Sequence, residues 1–248
     1  MIRTGFFYVA TFVSTLFFSL MAVVGGLTRA GRGWYDWVHR NWARSVLWAA
    51  GVEVRVEGLQ HVRPSEGQLF VSNHQSMFDI WTMMATLPAS LRFVTKGELG
   101  RIPIFGAACR SAGHVFIDRR DPVRASQAIR AAGERMTEEG LSLVLFPEGT
   151  RSPDGGLRRF KRGSFALAIE TQEDLIPVAI DGGARVLPKG ARRVRPGIIR
   201  LECGPSIRLR GLTIADRDDL TRRTRQAVES MLEGLRGEGE AALPPGDA

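Results

Sequence analysis

The chain has 248 residues, 44% of them hydrophobic, which is enough for one α/β domain with an appendage and short for two. Its 34 basic residues outnumber its 26 acidic ones, giving a formal net charge of +8 that points to an anionic partner: nucleic acid, anionic lipid or a phosphorylated substrate. Cys109 and Cys203 stand far apart without metal-ligand spacing, which argues against a disulfide framework and a zinc site, and only His39, His61, His74 and His114 compete for a special histidine role.

Residues 5–27, GFFYVATFVSTLFFSLMAVVGGL, carry no charge. As a helix they extend roughly 30 Å, enough to cross a hydrocarbon core. A signal peptide fits poorly, because only Arg3 precedes the run, the run is long for such a segment, and Arg29 and Arg32 follow it. Next, WYDWVHRNWARSVLWAA (34–50) combines Trp34, Trp37, Trp42 and Trp48 with Arg40 and Arg44. That is the composition of a helix at a membrane–water interface, although a helix packed on its own domain can carry it too. Residues 1–50 therefore read as a hydrophobic helical hairpin for attachment to the lipid bilayer, either spanning it or entering one leaflet. Basic residues crowd its later side, which places the bulk of the protein at the cytoplasmic face of the cell (inner) membrane.

From Val52 the pattern turns globular. VEVRVEG (52–58) alternates like a strand, and GQLFVSN (67–73) is a short apolar run ending in polar residues. FDIWTMMATL (78–87) reads as a helix, LRFVTK (91–96) as a strand and HVFID (114–118) as another. Asp121 then caps, and Pro122 opens, a helix running to Gly140. LSLVLFPEG (141–149) is a buried strand ended by Pro147, SFALAIE (164–170) is a helix, and LIPVAI (175–180) and GIIRLECG (197–204) are strands. A polar helix over about 216–236 closes the domain, and the tail 237–248 has a disordered composition. Strands alternating with helices predict an α/β domain over 51–236, with a largely parallel or mixed central sheet flanked by helices.

The polar clusters fall where strands end: Asn73-His74, Lys96, Asp118-Arg119 and Glu148-Gly149-Thr150-Arg151. Ligand sites of open α/β sheets gather beyond the carboxyl ends of strands, so these segments point to one rim. Five residues of regular helix turn through about 500°, so His74 and Asp79 cannot share a helix face. They can meet if His74 lies in the turn before the helix and Asp79 in its first turn. Asp79 would then accept one ring N–H and leave the other nitrogen as a base. Ser76 is too close to serve as nucleophile of a triad and no G-x-S-x-G elbow is present, so the attacker would be a substrate hydroxyl or water. The residues alone leave a second reading open, in which His74 caps a helix and Asp79 is a solvated carboxylate.

LFPEGTRSPDGG (145–156) offers Gly149 for a tight turn and Arg151 as a bidentate fork for phosphate. It runs into Arg158, Arg159, Lys161 and Arg162 ahead of a helix, while Arg119 and Lys96 sit just past other strands. Each alone reads equally as a solvated surface cation.

Four blocks stand in order: Asn73-His74-x4-Asp79, GHVFIDR (113–119), FPEGTRS (146–152) and IPVAI (176–180). In them the chain resembles the glycerolipid acyltransferases over roughly residues 52–207, and the hydrophobic hairpin fits the same family. The resemblance implies transfer of an acyl group from acyl-CoA or acyl-carrier protein to the sn-2 hydroxyl of 1-acyl-sn-glycerol-3-phosphate (lysophosphatidate), giving phosphatidate. It implies no metal, no other cofactor and no nucleic acid partner. His74 matches the general base and Asp79 its orienting partner. Gly149 and Arg151 match the block that binds the acceptor's phosphate, with Arg119 and Lys96 beside them. Glu148 matches that block's glutamate and is counted with the phosphate set, its own role unassigned. Pro177 lies in the fourth block, structural or donor-related. His114 departs from the pattern, since a small aliphatic residue is more usual there. The same chemistry on glycerol-3-phosphate or a lyso-ornithine lipid, a hydrolase using His74 to activate water, and a non-catalytic module that binds anionic lipid are the alternatives.

Overall fold

The computed structural model describes residues 2–117 and 122–241. Two helices come first, α1 (Ile2–Leu27) and α2 (Arg32–Ala50), followed by β1 (Val52–Glu57), β2 (Leu69–Ser72) and α3 (Phe78–Thr86). Then come β3 (Ser90–Lys96), α4 (Phe105–Ser111), β4 (Val115–Ile117), α5 (Pro122–Glu139) and β5 (Leu141–Leu145). The chain ends with α6 (Arg162–Thr171), β6 (Leu175–Asp181), the short α7 (Gly183–Val186), β7 (Gly197–Cys203) and α8 (Arg217–Ala241).

The seven strands form one sheet in the order β1-β7-β6-β2-β5-β3-β4. Every neighbouring pair is parallel except β6 and β7, so the sheet is mixed. Central strands β2, β5 and β6 are buried along their whole length, which explains their unbroken apolar runs. Edge strand β1 alternates half-buried and exposed residues, matching VEVRVE. Within the buried strands the pleat sorts side chains to two faces. Phe70, Val144, Ile176 and Val178 pack with α2 and α3, while Leu69, Leu143, Leu145 and Ala179 pack with α5, α6 and α8. The result is a three-layer helix–sheet–helix domain.

The strands read from the sequence all form. GIIRLECG forms β7, and this last strand in the chain lies between β1 and β6, a position its sequence does not indicate. Helix α4 and the 3-10 turn before it, 97–101, fall in a stretch left unassigned. Helix α8 runs to Ala241, into the segment expected as tail, and residues 242–248 lie outside the described ones.

The amino-terminal hairpin forms, with Trp42 Nε1 donating to Thr15 Oγ1 at 3.0 Å and Trp34 Nε1 to the Met21 carbonyl at 3.1 Å. It is not a separate unit. Ala43, Val46, Leu47 and Ala50 of α2 and Phe7 of α1 join the cluster that holds α3. The interface composition of 34–50 is divided between two surroundings: Trp37 and Trp48 are exposed, whereas one face of α2 is domain core.

Candidate active site

Strands β2, β5, β3 and β4 run parallel, so their carboxyl ends share one edge of the sheet. Beyond β2, Asn73 leaves the strand but keeps its pairing. Its side-chain Nδ2 donates to the Ile180 carbonyl and its Oδ1 accepts the Ile180 N–H, both at 2.8 Å. The amide thus stands in for one more ladder residue against β6 and fixes where the chain turns away. His74 follows in that turn, and Asp79 lies in the first turn of α3, the arrangement the spacing required.

His74 Nδ1 and Asp79 Oδ2 meet at 2.8 Å. Oδ2 also accepts the backbone N–H groups of Gln75 (2.7 Å) and Ser76 (2.9 Å), so one carboxylate oxygen closes the turn and holds the ring. Asp79 is fully buried. With Nδ1–H given to the carboxylate, Nε2 carries the lone pair, and among the described residues no group bonds it. The imidazole stacks on Phe146 at 4.1 Å between centroids, which fixes its plane. Ser76 is spent, because its hydroxyl donates to the Leu187 carbonyl at 2.9 Å. Both cysteines are free, and burial pushes their thiols up to about 12, away from nucleophilic thiolate.

The loop after β5 is tied to the same turn. Glu148 Oε1 accepts the His74 N–H at 2.9 Å, and Ser152 N–H donates to the His74 carbonyl at 2.7 Å. Arg151, flanked by these two bonds, is thereby held beside the histidine. It is half-buried and makes no ion pair with any described residue. Gly149 turns the loop at φ +73°, and a Cβ there would come within 2.6 Å of Lys161 Nζ. A lysine ammonium therefore lies over the glycine. A second one, Lys189 Nζ, donates to Thr150 Oγ1 at 3.2 Å.

Glu148 stands apart from the phosphate set in which the sequence placed it. It is 2% exposed and directed at the His74 backbone, and a carboxylate there would repel phosphate. Burial pushes its carboxyl up to about 7 against the pull of the His74 and Arg158 backbone N–H groups. Lys96 ends β3 opposite Ile117 of β4 and so reaches the same edge. Arg119 lies outside the described residues. Pro177 sits inside β6, opposite Val71 of β2.

The sequence reading missed Lys189 and Gln75. Gln75 is buried and donates through Nε2 to the Gly155 carbonyl at 3.0 Å, knitting the histidine turn to the far end of the 145–156 loop. The strand-end rule, applied after IPVAID, would have led to Lys189. His114 is half-buried and pairs with His39, Nε2 to Nε2 at 3.2 Å, away from the dyad.

The Acyltransferase family model matches residues 53–181. The 1-acyl-sn-glycerol-3-phosphate acyltransferase of Limnanthes douglasii is 34% identical over 174 residues, covering 70% of this chain and 61% of that protein. The human 1-acyl-sn-glycerol-3-phosphate acyltransferase alpha is 32% identical over 200 residues, covering 79% of this chain and 71% of that one. The chain thus spans about three-fifths of the plant relative's length. Among solved structures, the 1-acyl-sn-glycerophosphate (LPA) acyltransferase of Thermotoga maritima superposes with a TM-score of 0.82 at 27% identity, covering 95% of each chain. With residues 53–181, and so most of the sheet, the histidine turn and the 145–156 loop, inside the matched span, the chain belongs to the Acyltransferase family.

Proposed function

We propose that this chain acylates the sn-2 hydroxyl of lysophosphatidate, using acyl-CoA or acyl-carrier protein as donor and releasing phosphatidate and the free thiol. The observation that carries the reading is the His74–Asp79 bond, with Nε2 left free beside a loop whose arginine has no carboxylate partner among the described residues. Nε2 takes the hydroxyl proton as the oxygen attacks the thioester carbonyl. Asp79 stabilises the imidazolium, and the proton returns to the departing thiolate as the tetrahedral intermediate collapses. No acyl-enzyme is needed, in keeping with the spent Ser76 hydroxyl and the raised thiols. Arg151, assisted by Lys96 and Arg119, holds the acceptor phosphate so that its hydroxyl meets His74 in a reactive pose.

The membrane reading has its own support. Helix α1 is about 39 Å long and stays against the domain, from Tyr8, which donates to the Arg192 carbonyl at 2.9 Å, to Met21, which accepts from Trp34. Its other side is bare, with Val9, Phe12, Val13 and Phe17 all more than half exposed. A helix held lengthwise in this way suits insertion into one leaflet, at the cytoplasmic face of the inner membrane, better than a span.

The test is turnover by the full chain in detergent with lysophosphatidate, glycerol-3-phosphate and a lyso-ornithine lipid, each offered both donors. Lysophosphatidate is expected to be preferred. His74→Ala should lower kcat by about a hundredfold to ten-thousandfold while lysophosphatidate still binds. Near-normal turnover in that variant ends the reading, and fatty acid release without an acceptor would favour a hydrolase.

A further inference from the structure

The segment between β6 and β7 has a charge pattern that the proposed catalysis leaves unexplained. Residues 182–201 include no Asp or Glu, yet carry Arg185, Lys189, Arg192, Arg193, Arg195 and Arg200. Arg185 is neutralised by Asp181, and Arg200 is buried. The other four are exposed and have no carboxylate partner among the described residues. Like charges crowded on one loop repel one another, so the loop is a poor stabilising element and a good receptor for anions.

The loop is also held in place. Val194 is buried at 4% exposure, and the Arg195 N–H donates to the Val186 carbonyl at 3.0 Å, closing the loop at its base. One side reaches the 145–156 loop through Lys189 and Thr150. The other reaches α1 through the Tyr8 hydroxyl and the Arg192 carbonyl. At that end of α1, Phe6 lies edge-on to Trp48, which is 73% exposed. An exposed apolar helix, an aromatic pair at its end and a row of unneutralised arginines beside it form a graded surface. Hydrocarbon would meet the helix, the interface the aromatics, and phosphate the arginines.

We propose that the β6–β7 loop is a docking edge for anionic phospholipid headgroups of the leaflet that receives α1. It seats the catalytic rim on negatively charged membrane in preference to neutral membrane. The inference rests on the membrane reading above. Continuity with α1 favours lipid over the other anionic surface in play, an acidic acyl-carrier protein, which would have no use for the adjoining bare helix.

The experiment is flotation of the full chain with vesicles of phosphatidylcholine alone and of phosphatidylcholine mixed with phosphatidylglycerol. Wild type should favour the anionic vesicles. Arg192→Glu, Arg193→Glu and Arg195→Glu together should lower binding to them by about a hundredfold and leave binding to neutral vesicles unchanged. The corresponding three lysine substitutions should keep the preference. A glutamate variant that still prefers anionic vesicles, or that weakens on both kinds alike, overturns the proposal. So does a variant with unaltered vesicle binding whose KM rises for an acyl-carrier protein donor and not for acyl-CoA, since the loop would then serve a protein. If wild type binds neither vesicle, the membrane reading itself falls; if it binds both equally, only the headgroup preference does.

Discussion

Glu148 and His74 are joined through the main chain of the histidine: the buried carboxylate accepts the His74 N–H, while the imidazole points the other way to Asp79. One acid therefore sets where the histidine stands and another sets how its ring is turned. The Glu148 carboxyl sits at about 7, against an ordinary 4.5, so between those values the folded state holds a proton that the unfolded chain has released. The stability this proton contributes is complete below the lower value and lost as pH rises through the upper one. Glu148→Gln keeps an oxygen for the His74 N–H and cannot ionise. Its melting temperature should gain on wild type between about pH 5 and about pH 8, by the equivalent of about 3 kcal/mol. A gap that stays flat with pH would show an ordinary carboxyl at this position.

Asp79→Asn separates charge from geometry. All three bonds fall on Oδ2, while Oδ1 is buried without a partner. An asparagine oxygen in the Oδ2 position can accept the same three donors. The negative charge that stabilises the imidazolium is lost, so kcat should fall by about a hundredfold or more. Melting should shift by far less than in Asp79→Ala, which leaves two buried N–H groups open. Steady-state kinetics alongside thermal melting reads both effects.

Arg151→Ala should act on the acceptor and not on the donor. With a bidentate partner gone, KM for lysophosphatidate should rise about tenfold to a hundredfold, with the thioester KM unchanged. Inorganic phosphate should compete with the acceptor in wild type and lose that effect in the variant. Equal changes for both substrates would place Arg151 outside the acceptor site.

Asn73→Ala removes both bonds to Ile180 and leaves that residue's buried N–H and carbonyl open. Each orphaned group costs about 1–3 kcal/mol, so the chain should lose about 3 kcal/mol of stability. The loss is measurable by denaturant titration.

His39 and His114 give an acid response of opposite sign to Glu148. Burial, with Arg92 nearby, holds His114 down at about 3 and His39 well below 6.5. Unfolding lets them take up protons, so their contribution is intact above 6.5 and lost as pH falls toward the folded values. His114→Val should start less stable, because Phe93 N–H loses its acceptor. It should nevertheless lose less stability than wild type on moving from about pH 7 to about pH 5.

Strands such as LSLVL and LIPVAI were legible because burial on both faces writes a continuous apolar run, and helical geometry limited a His74–Asp79 contact to a turn-then-helix placement without deciding that the contact forms. Partners distant in sequence left no such trace. Neither β7 slotting antiparallel against β6 nor the Asn73 side chain extending the sheet to Ile180 is written locally. The tryptophans of 34–50 left two surroundings open for a related reason: composition cannot say which face of a helix a domain will cover. Glu148 was grouped with the phosphate residues because its neighbours in sequence match a block expected to bind phosphate, while its own direction depends on where His74 lies in space.

The packing of α1 against the domain has a practical consequence. Phe7 is 2% exposed and stacks on Phe78 at 5.7 Å, and Phe78 is the residue immediately before Asp79. Trimming the greasy leader to obtain a tractable soluble enzyme would strip the backing from the very helix turn that carries the aspartate. Such a truncate would be disabled at the dyad as well as detached from lipid.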